Sequence, residues 1–292
     1  TRRSSDLVGS GLNDNLNGVE MPVSFHLSKL NKDVEIVQSL AKWKRYALNK
    51  YSFPVGMGIY TDMNAIRAEE ETDNIHSIYV DQWDWEKVIT EKDRVVEYLK
   101  STVQSIVNCI ADTNDILRKA YPILNFQFER ECYFITSQEL LEMYPDLSPK
   151  ERENEICRVK KTVFIIGIGQ KLSNGEPHDN RSPDYDDWTL NGDILVYYPV
   201  LDMAVELSSM GIRVDYKALF EQLQLANAMD RLKYPFHQGI VHGQLPLTIG
   251  GGIGQSRLCL ILLEKFHIGE VQVSTWNEED IKVANNYLAQ IL

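Results

Sequence analysis

Basic residues are in short supply. Lys and Arg number 30 against 42 Asp and Glu, a formal net charge of −12 over 292 residues. A chain whose main work was gripping a polyanion would carry the opposite balance, so nucleic acid is not expected as its principal partner. Cysteine is scarce too: Cys109, Cys132, Cys157 and Cys259 lie far apart with no C-x-x-C pair. That excludes the common zinc spacings and makes disulfide stapling unnecessary at this length. No apolar run approaches the about 18 residues of a membrane span, and no charged-then-apolar leader opens the chain. No membrane association and a cytoplasmic location are therefore expected. No Gly-Lys-Ser/Thr marks a phosphate-binding P-loop, and there are no repeats or low-complexity tracts. The chain opens on Thr1, not Met, so the N-terminal segment is expected to be incomplete.

What is present starts with Gly250-Gly251-Gly252-Ile253-Gly254-Gln255-Ser256-Arg257, followed by the apolar run Leu258 to Leu263. Glycines at alternate positions (Gly250, Gly252, Gly254) leave bare backbone against which a flat ligand could lie. The run after them reads as a buried helix with Arg257 in its early turns. A fixed guanidinium beside such a floor suits a nucleotide phosphate. The dinucleotide fingerprint does not fit, because the spacing ends in arginine and no acidic ribose partner follows. Taken alone, the run would more simply be a turn capping a core helix.

Hydrophobic residues at 43% and charged residues at 25% are ordinary for a globular enzyme. Residues 1–292 are read as a single catalytic domain. Asn13-Asp14-Asn15 offers a carboxylate on a loop. Val34 to Val37 reads as a strand, and Ser39 as the cap of a helix from Leu40 to about Lys50. On that helix Lys42, Lys44 and Arg45 surround Trp43, either a solvated basic face or a grip on an anion. Met57 to Arg67 and His76 to Trp85 read as strands joined by an acidic loop. Alternation puts Gln82 and Asp84 on one face, Trp83 and Trp85 on the other. Glu86 to Ala120 shows the period of one long amphipathic helix. Thr136-Ser137-Gln138-Glu139 and Ser148-Pro149-Lys150-Glu151 are capping boxes that start two more helices.

Thr162 to Gly169 is a buried strand, and Lys171 to Trp188 a polar loop whose Asp184, Asp186 and Asp187 form a solvated turn or a lid. Strands follow at Asp193 to Tyr198 and Glu206 to Asp215, then helices at Tyr216 to Ala228, around Arg231 to Gly243, and at Asn277 to Leu292. Hairpin-joined strands with helices between them favour a mostly antiparallel sheet flanked by helices, an α+β fold.

Two arginines (Arg67, Arg257), an acid pair (Asp193, Glu206), Lys44 and polar strand residues suit phosphoryl chemistry at an ATP α-phosphate. There, charge neutralisation and alignment do most of the work. Carboxylates suit Mg²⁺. Arg67 with its acidic loop to His76, and Gly250-x-Gly252-x-Gly254-x-x-Arg257, resemble motifs 2 and 3 of class II aminoacyl-tRNA synthetases. SLAKWKR (from Ser39), HSIYVDQWDWE (from His76), SQELLEMYPDL (from Ser137) and PDYDDW (from Pro183) more closely resemble the asparagine synthetase A family. So do LNGDILV (from Leu190), ELSSMGIRVD (from Glu206) and TIGGGIGQSRL (from Thr248), covering nearly the whole chain.

The resemblance implies a class II synthetase-like catalytic core, a homodimer, and ammonia-dependent asparagine synthesis. L-aspartate attacks ATP to give a β-aspartyl-adenylate, and ammonia then displaces AMP. It implies that Arg67 and Arg257 neutralise phosphates and that Asp193 and Glu206 hold Mg²⁺. Asp193, His76, Tyr185, Gly252 and Gly254 line the nucleotide site. Lys44, Asp14, Ser39, Gln82, Asp84, Asp186, Ser209 and Arg213 surround the amino acid. Arg213 meets its α-carboxylate, and Asp84 or Asp186 its ammonium. The family pattern has a longer loop where Trp188-Thr189-Leu190 runs here, and its N-terminal helix and first-motif proline are not found before Asn13. An aspartyl- or asparaginyl-tRNA synthetase-like paralogue, or a non-catalytic amino-acid or nucleotide sensor, are the alternatives.

Overall fold

The computed structural model describes residues 10–12 and 21–292. A hairpin of β1 (Ser24–Leu27) and β2 (Lys32–Glu35) stands apart from the main sheet, which comprises β3 (Gly58–Ile66), β4 (Tyr79–Val88), β5 (Tyr133–Thr136), β6 (Thr162–Ile166), β7 (Asp186–Tyr198), β8 (Met203–Arg213) and β9 (Thr248–Gly254). Its order is β3-β4-β9-β8-β7-β6-β5, antiparallel throughout except for the parallel β5–β6 pair. The expected sheet class holds. The glycine segment is itself an interior strand, β9, between β4 and β8, and α7 (Gln255–Leu262) starts directly from it.

Strand alternation divides the sheet into two faces. Ile194 and Val196 of β7, Met210 and Ile212 of β8 and Ile249 of β9 point to one side. They pack there with Leu99, Val103, Val107 and Ile110 of α2 (Val96–Ala120) and with Leu260 and Ile261 of α7, forming the main core. The opposite face is covered at one end by α3 (Ser137–Met143) and α4 (Pro149–Lys160), whose Leu140, Ile156 and Cys157 meet Val163, Ile165 and Leu195. Further along, the same face carries Asp193 of β7, Ser209 and Arg213 of β8, and Gln82 and Asp84 of β4; α1 (Ala41–Lys50) packs against β4 there, through Lys44 on Asp84, and the part beside it is left uncovered.

Helix starts follow local chemistry. Thr136 and Ser148 form the two expected capping boxes, with Pro149 at the first helical position. Asp215 accepts from Ala218 N at 2.8 Å and starts α5 (Tyr216–Leu225), which packs with α6 (Pro235–Val241) around Val214, Leu219 and Phe236. The long helix begins later than its periodicity suggests. Residues 86–88 complete β4, and Thr90 with Asp93 caps a 3₁₀ turn before α2. Strand pairing with β9 overrides helical period at Glu86. The closing helix α8 spans only Glu278–Asn286.

Candidate active site

The uncovered face forms a cleft of about 680 Å³. Its floor is β4, β9 and β8 side by side, with Asp84 opposite Gly252 and Gly252 opposite Ser209. Arg67, just after β3, and Arg257, on the first turn of α7, both line it, as do Ser39, His76, Gln82, Asp84, Tyr185, Asp186, Glu206, Ser209, Arg213, Gly252 and Gly254. The fold therefore gathers most of the residues expected at the site. Asp14 lies outside the described residues.

At the inner end Arg213 is buried between two acids. Its Nε donates to Glu86 Oε1 at 3.1 Å, its Nη2 to Glu86 Oε2 at 2.7 Å, and its Nη1 to Asp186. Burial opposes the positive charge, but the carboxylates of Glu86 and Asp186 outweigh it and hold Arg213 protonated well above the ordinary range. Burial raises Asp186 despite its guanidinium partner. The Tyr185 ring lies 5.5 Å from the guanidinium carbon.

The glycines serve this network. A Cβ on Gly250 would come within 2.1 Å of Glu86 Oε2 and 2.6 Å of Arg213 Nη2, and one on Gly252 within 2.5 Å of Gln82 Oε1. The bare floor expected to receive a flat ligand is in part already covered by the protein's own polar side chains. At Gly254 the nearest atom would be Arg257 Cβ at an ordinary 3.5 Å.

Lys44, expected around the amino acid, is sealed behind the cleft wall. Its Nζ donates to Asp84 and, at 3.1 Å, to Trp85 O, with no exposure of the side chain. Burial lowers Lys44 and raises Asp84, moving both toward their neutral forms. The neighbouring basic residues are not a solvated face either. Lys42 pairs with Asp184 at 2.8 Å, and Arg45 donates to Val214 O at 2.8 Å and Pro246 O at 2.9 Å. Ser39 does accept from Ala41 N, at 3.1 Å, although α1 (Ala41–Lys50) starts two residues after it.

The acids expected on a turn or lid are all buried, each against a different cation. Asp184 takes Lys42, Arg231 at 3.0 Å and His237 at 2.9 Å; Asp186 takes Arg213; Asp187 takes Arg94 at 2.8 Å. They fix the loop, and only Asp186 of the three faces the cleft. The register of β7 on β8 is irregular between Asp186 and Asn191.

At the outer end Arg257 donates from Nε to Ile75 O and from Nη1 to Glu206 O, both at 3.2 Å, which aims it along the cleft. Arg67 Nη1 lies 3.5 Å from Glu70, and its buried Nε has no partner among the described residues. His76 Nδ1 sits 2.9 Å from both oxygens of Asp73. Asp193 is held by Arg181 rather than open to the cleft. Burial, reinforced by the charge of Glu206 and opposed by Arg181, pushes it up to about 7. Its Oδ1 is buried without a partner among the described residues. Two hard carboxylates that repel each other, one with an orphaned oxygen, are a donor set that fits Mg²⁺.

Sequence reasoning missed Glu86, Arg181 and the Asp81–Ser256–Gln272 group beneath α7. Glu86 was within reach, since the alternation that places Gln82 and Asp84 inward continues to it. Arg181 carries no spacing signal.

The fold defines the class. An asparaginyl-tRNA synthetase from Entamoeba histolytica, solved with asparaginyl-adenylate, superposes with a TM-score of 0.62 at 17% identity, over 89% of this chain and 62% of that one. The Pyrococcus horikoshii asparaginyl-tRNA synthetase, solved with the same adenylate, matches with a TM-score of 0.62 at 15% identity, over 87% and 58%. The chain thus spans less than two thirds of either synthetase. It has the catalytic fold of a class II aminoacyl-tRNA synthetase. Within that class it belongs to the aspartate–ammonia ligase family, whose sequence model matches residues 6–287. An aspartate–ammonia ligase of Clostridium perfringens (strain SM101 / Type A) is 58% identical over 97% of this chain and 85% of its own length. One from Bacillus cereus (strain B4264) is 56% identical over 92% and 83%.

Proposed function

We propose that this chain makes L-asparagine from L-aspartate, ATP and ammonia through a β-aspartyl-adenylate, releasing AMP and diphosphate. Supporting this is one cleft, in a member of the ligase family, lined by Arg67 and Arg257 from different walls and by Arg213 and Asp186, with Glu86 buried behind Arg213. Arg67 and Arg257 neutralise the phosphate chain while the substrate β-carboxylate attacks the α-phosphorus. Such a step needs positioning and charge more than covalent help. Tyr185, His76, Gly252 and Gly254 border the nucleotide. Arg213 meets the substrate α-carboxylate through N–H groups that Glu86 and Asp186 leave open. Asp84 or Asp186 takes the ammonium, with Ser39, Gln82 and Ser209 beside it. Asp14 is assigned to the amino acid as well, on the family resemblance alone, and Lys44 acts through Asp84, which it holds in place.

Asp193 and Glu206 would hold Mg²⁺, which when bound would supply positive charge to the phosphates. The whole chain works as one catalytic unit, as a homodimer in the cytoplasm; sedimentation of the purified protein tests the dimer. A tRNA synthetase-like paralogue or a sensor is not favoured, given the identity to curated ligases over most of the chain.

Incubation with ATP, Mg²⁺, aspartate and ¹⁵N-ammonium, with and without tRNA, tests the proposal. Labelled asparagine, AMP and diphosphate are expected, unaffected by tRNA; ADP and phosphate would remove the adenylate route. Arg257→Ala is expected to lower turnover about 10³-fold or more, as for other arginines that stabilise phosphoryl transfer.

A further inference from the structure

Arg181 is the one arginine on the described wall of the cleft to which the reaction above gives no task. It lies in the loop before β7. Its Nη1 donates to Asp179 at 2.7 Å and its Nη2 to Asp193, and only 12% of its side chain is exposed. Glu206 also acts on it electrostatically. Two carboxylates thus hold one guanidinium, with the charge of Glu206 acting on it from nearby, where the acid pair would take a divalent cation. Asp193 Oδ1 has no partner among the described residues, so among them the guanidinium satisfies only half of that carboxylate.

A guanidinium and a divalent cation on the same carboxylate repel strongly at close range in a partly buried site. We propose that Arg181 is a placeholder for the metal ion: it neutralises Asp193 in the nucleotide-free enzyme and keeps free divalent cations out of the acid pair. It leaves for the phosphate chain when the metal–nucleotide complex enters. The planar fork that fits a carboxylate fits a phosphate equally, so the exchange keeps its hydrogen bonds. Metal and nucleotide then bind as one unit, and the acid pair never holds metal idly. This rests on the assignment of Asp193 and Glu206 as the cation's ligands.

The test is Mn²⁺ alone, titrated into nucleotide-free protein and followed by electron paramagnetic resonance. R181Q is expected to bind one Mn²⁺ at least about 10-fold tighter than wild type, because a nearby positive charge is gone. R181K, which keeps the charge, should stay near wild type. A merely structural role would weaken binding on substitution, not tighten it. R181M, which keeps the apolar stem, repeats the measurement if R181Q does not fold. Equal affinity in wild type and both neutral variants overturns the placeholder. A gain in R181Q that persists in the R181Q/D193N double variant overturns the ligand assignment instead.

Discussion

Arg213 is enclosed by Glu86 and Asp186 at the inner end of the cleft, and the three charges are interdependent. Replacing Arg213 with Met leaves two buried carboxylates without a counter-charge. A loss of about 3–5 kcal/mol in urea unfolding is expected, on the scale of breaking a buried pair by removing one partner. Asp184 offers a second, pH-dependent case. Burial opposes its charge, yet Lys42, His237 and Arg231 hold it ionised well below the ordinary carboxylate range. The unfolded chain takes up this proton first as pH falls below about 4. Stability from Asp184 is therefore fully present above that pH and is lost as pH falls toward the folded-state value. Urea midpoints from neutral to acid pH should decline at the acid end in wild type. In Asp184→Asn they should start lower at neutral pH and show less of that decline.

Strand β9 is the element whose composition the site dictates, and its glycines differ in what they tolerate. Gly250→Ala drives a Cβ into Glu86, Arg213 and the Trp85 carbonyl, so a loss of about 1–3 kcal/mol and a raised KM for aspartate are expected. Gly252→Ala meets only the end of the flexible Gln82 side chain; thermal stability should hold while aspartate affinity falls. Gly254→Ala has ordinary space and should melt like wild type. Thermal melts and aspartate titrations on the three variants check this ordering. The alternate spacing of the glycines was legible in the sequence because strand period fixes which residues share a face. That the space above two of them is filled by Glu86, Arg213 and Gln82 was not, because those side chains come from β4 and β8. Helix α1 is legible in the sequence, but the burial of its basic face is not, for a similar reason. Its three basic residues are polar by type, and only packing supplies what buries them: Asp84 of β4 for Lys44, Asp184 before β7 for Lys42, and the Val214 and Pro246 carbonyls for Arg45.

Across the whole molecule the catalytic fold couples distant segments, since residues near 40, 67, 84, 186, 213 and 257 meet in one cleft. Ligands that bridge them should stabilise the folded state by mass action. At 100 times Kd, one site contributes about 2.7 kcal/mol. Mg²⁺, ATP and aspartate together are expected to raise the melting temperature by about 5–10 °C, since each kcal/mol is worth about 2–4 °C in a large domain. Differential scanning fluorimetry with and without each ligand measures it, and no rise with all three present would count against the cleft as the binding site. The sequence by itself determined the capping boxes, the strand and helix types, the glycine spacing and the two arginines, because these depend on local period and residue chemistry. Only the tertiary structure decided which charges are buried as partners and which face the cleft. A side chain's freedom is set by what other strands bring within a few ångströms, and that is not written in its neighbours along the chain.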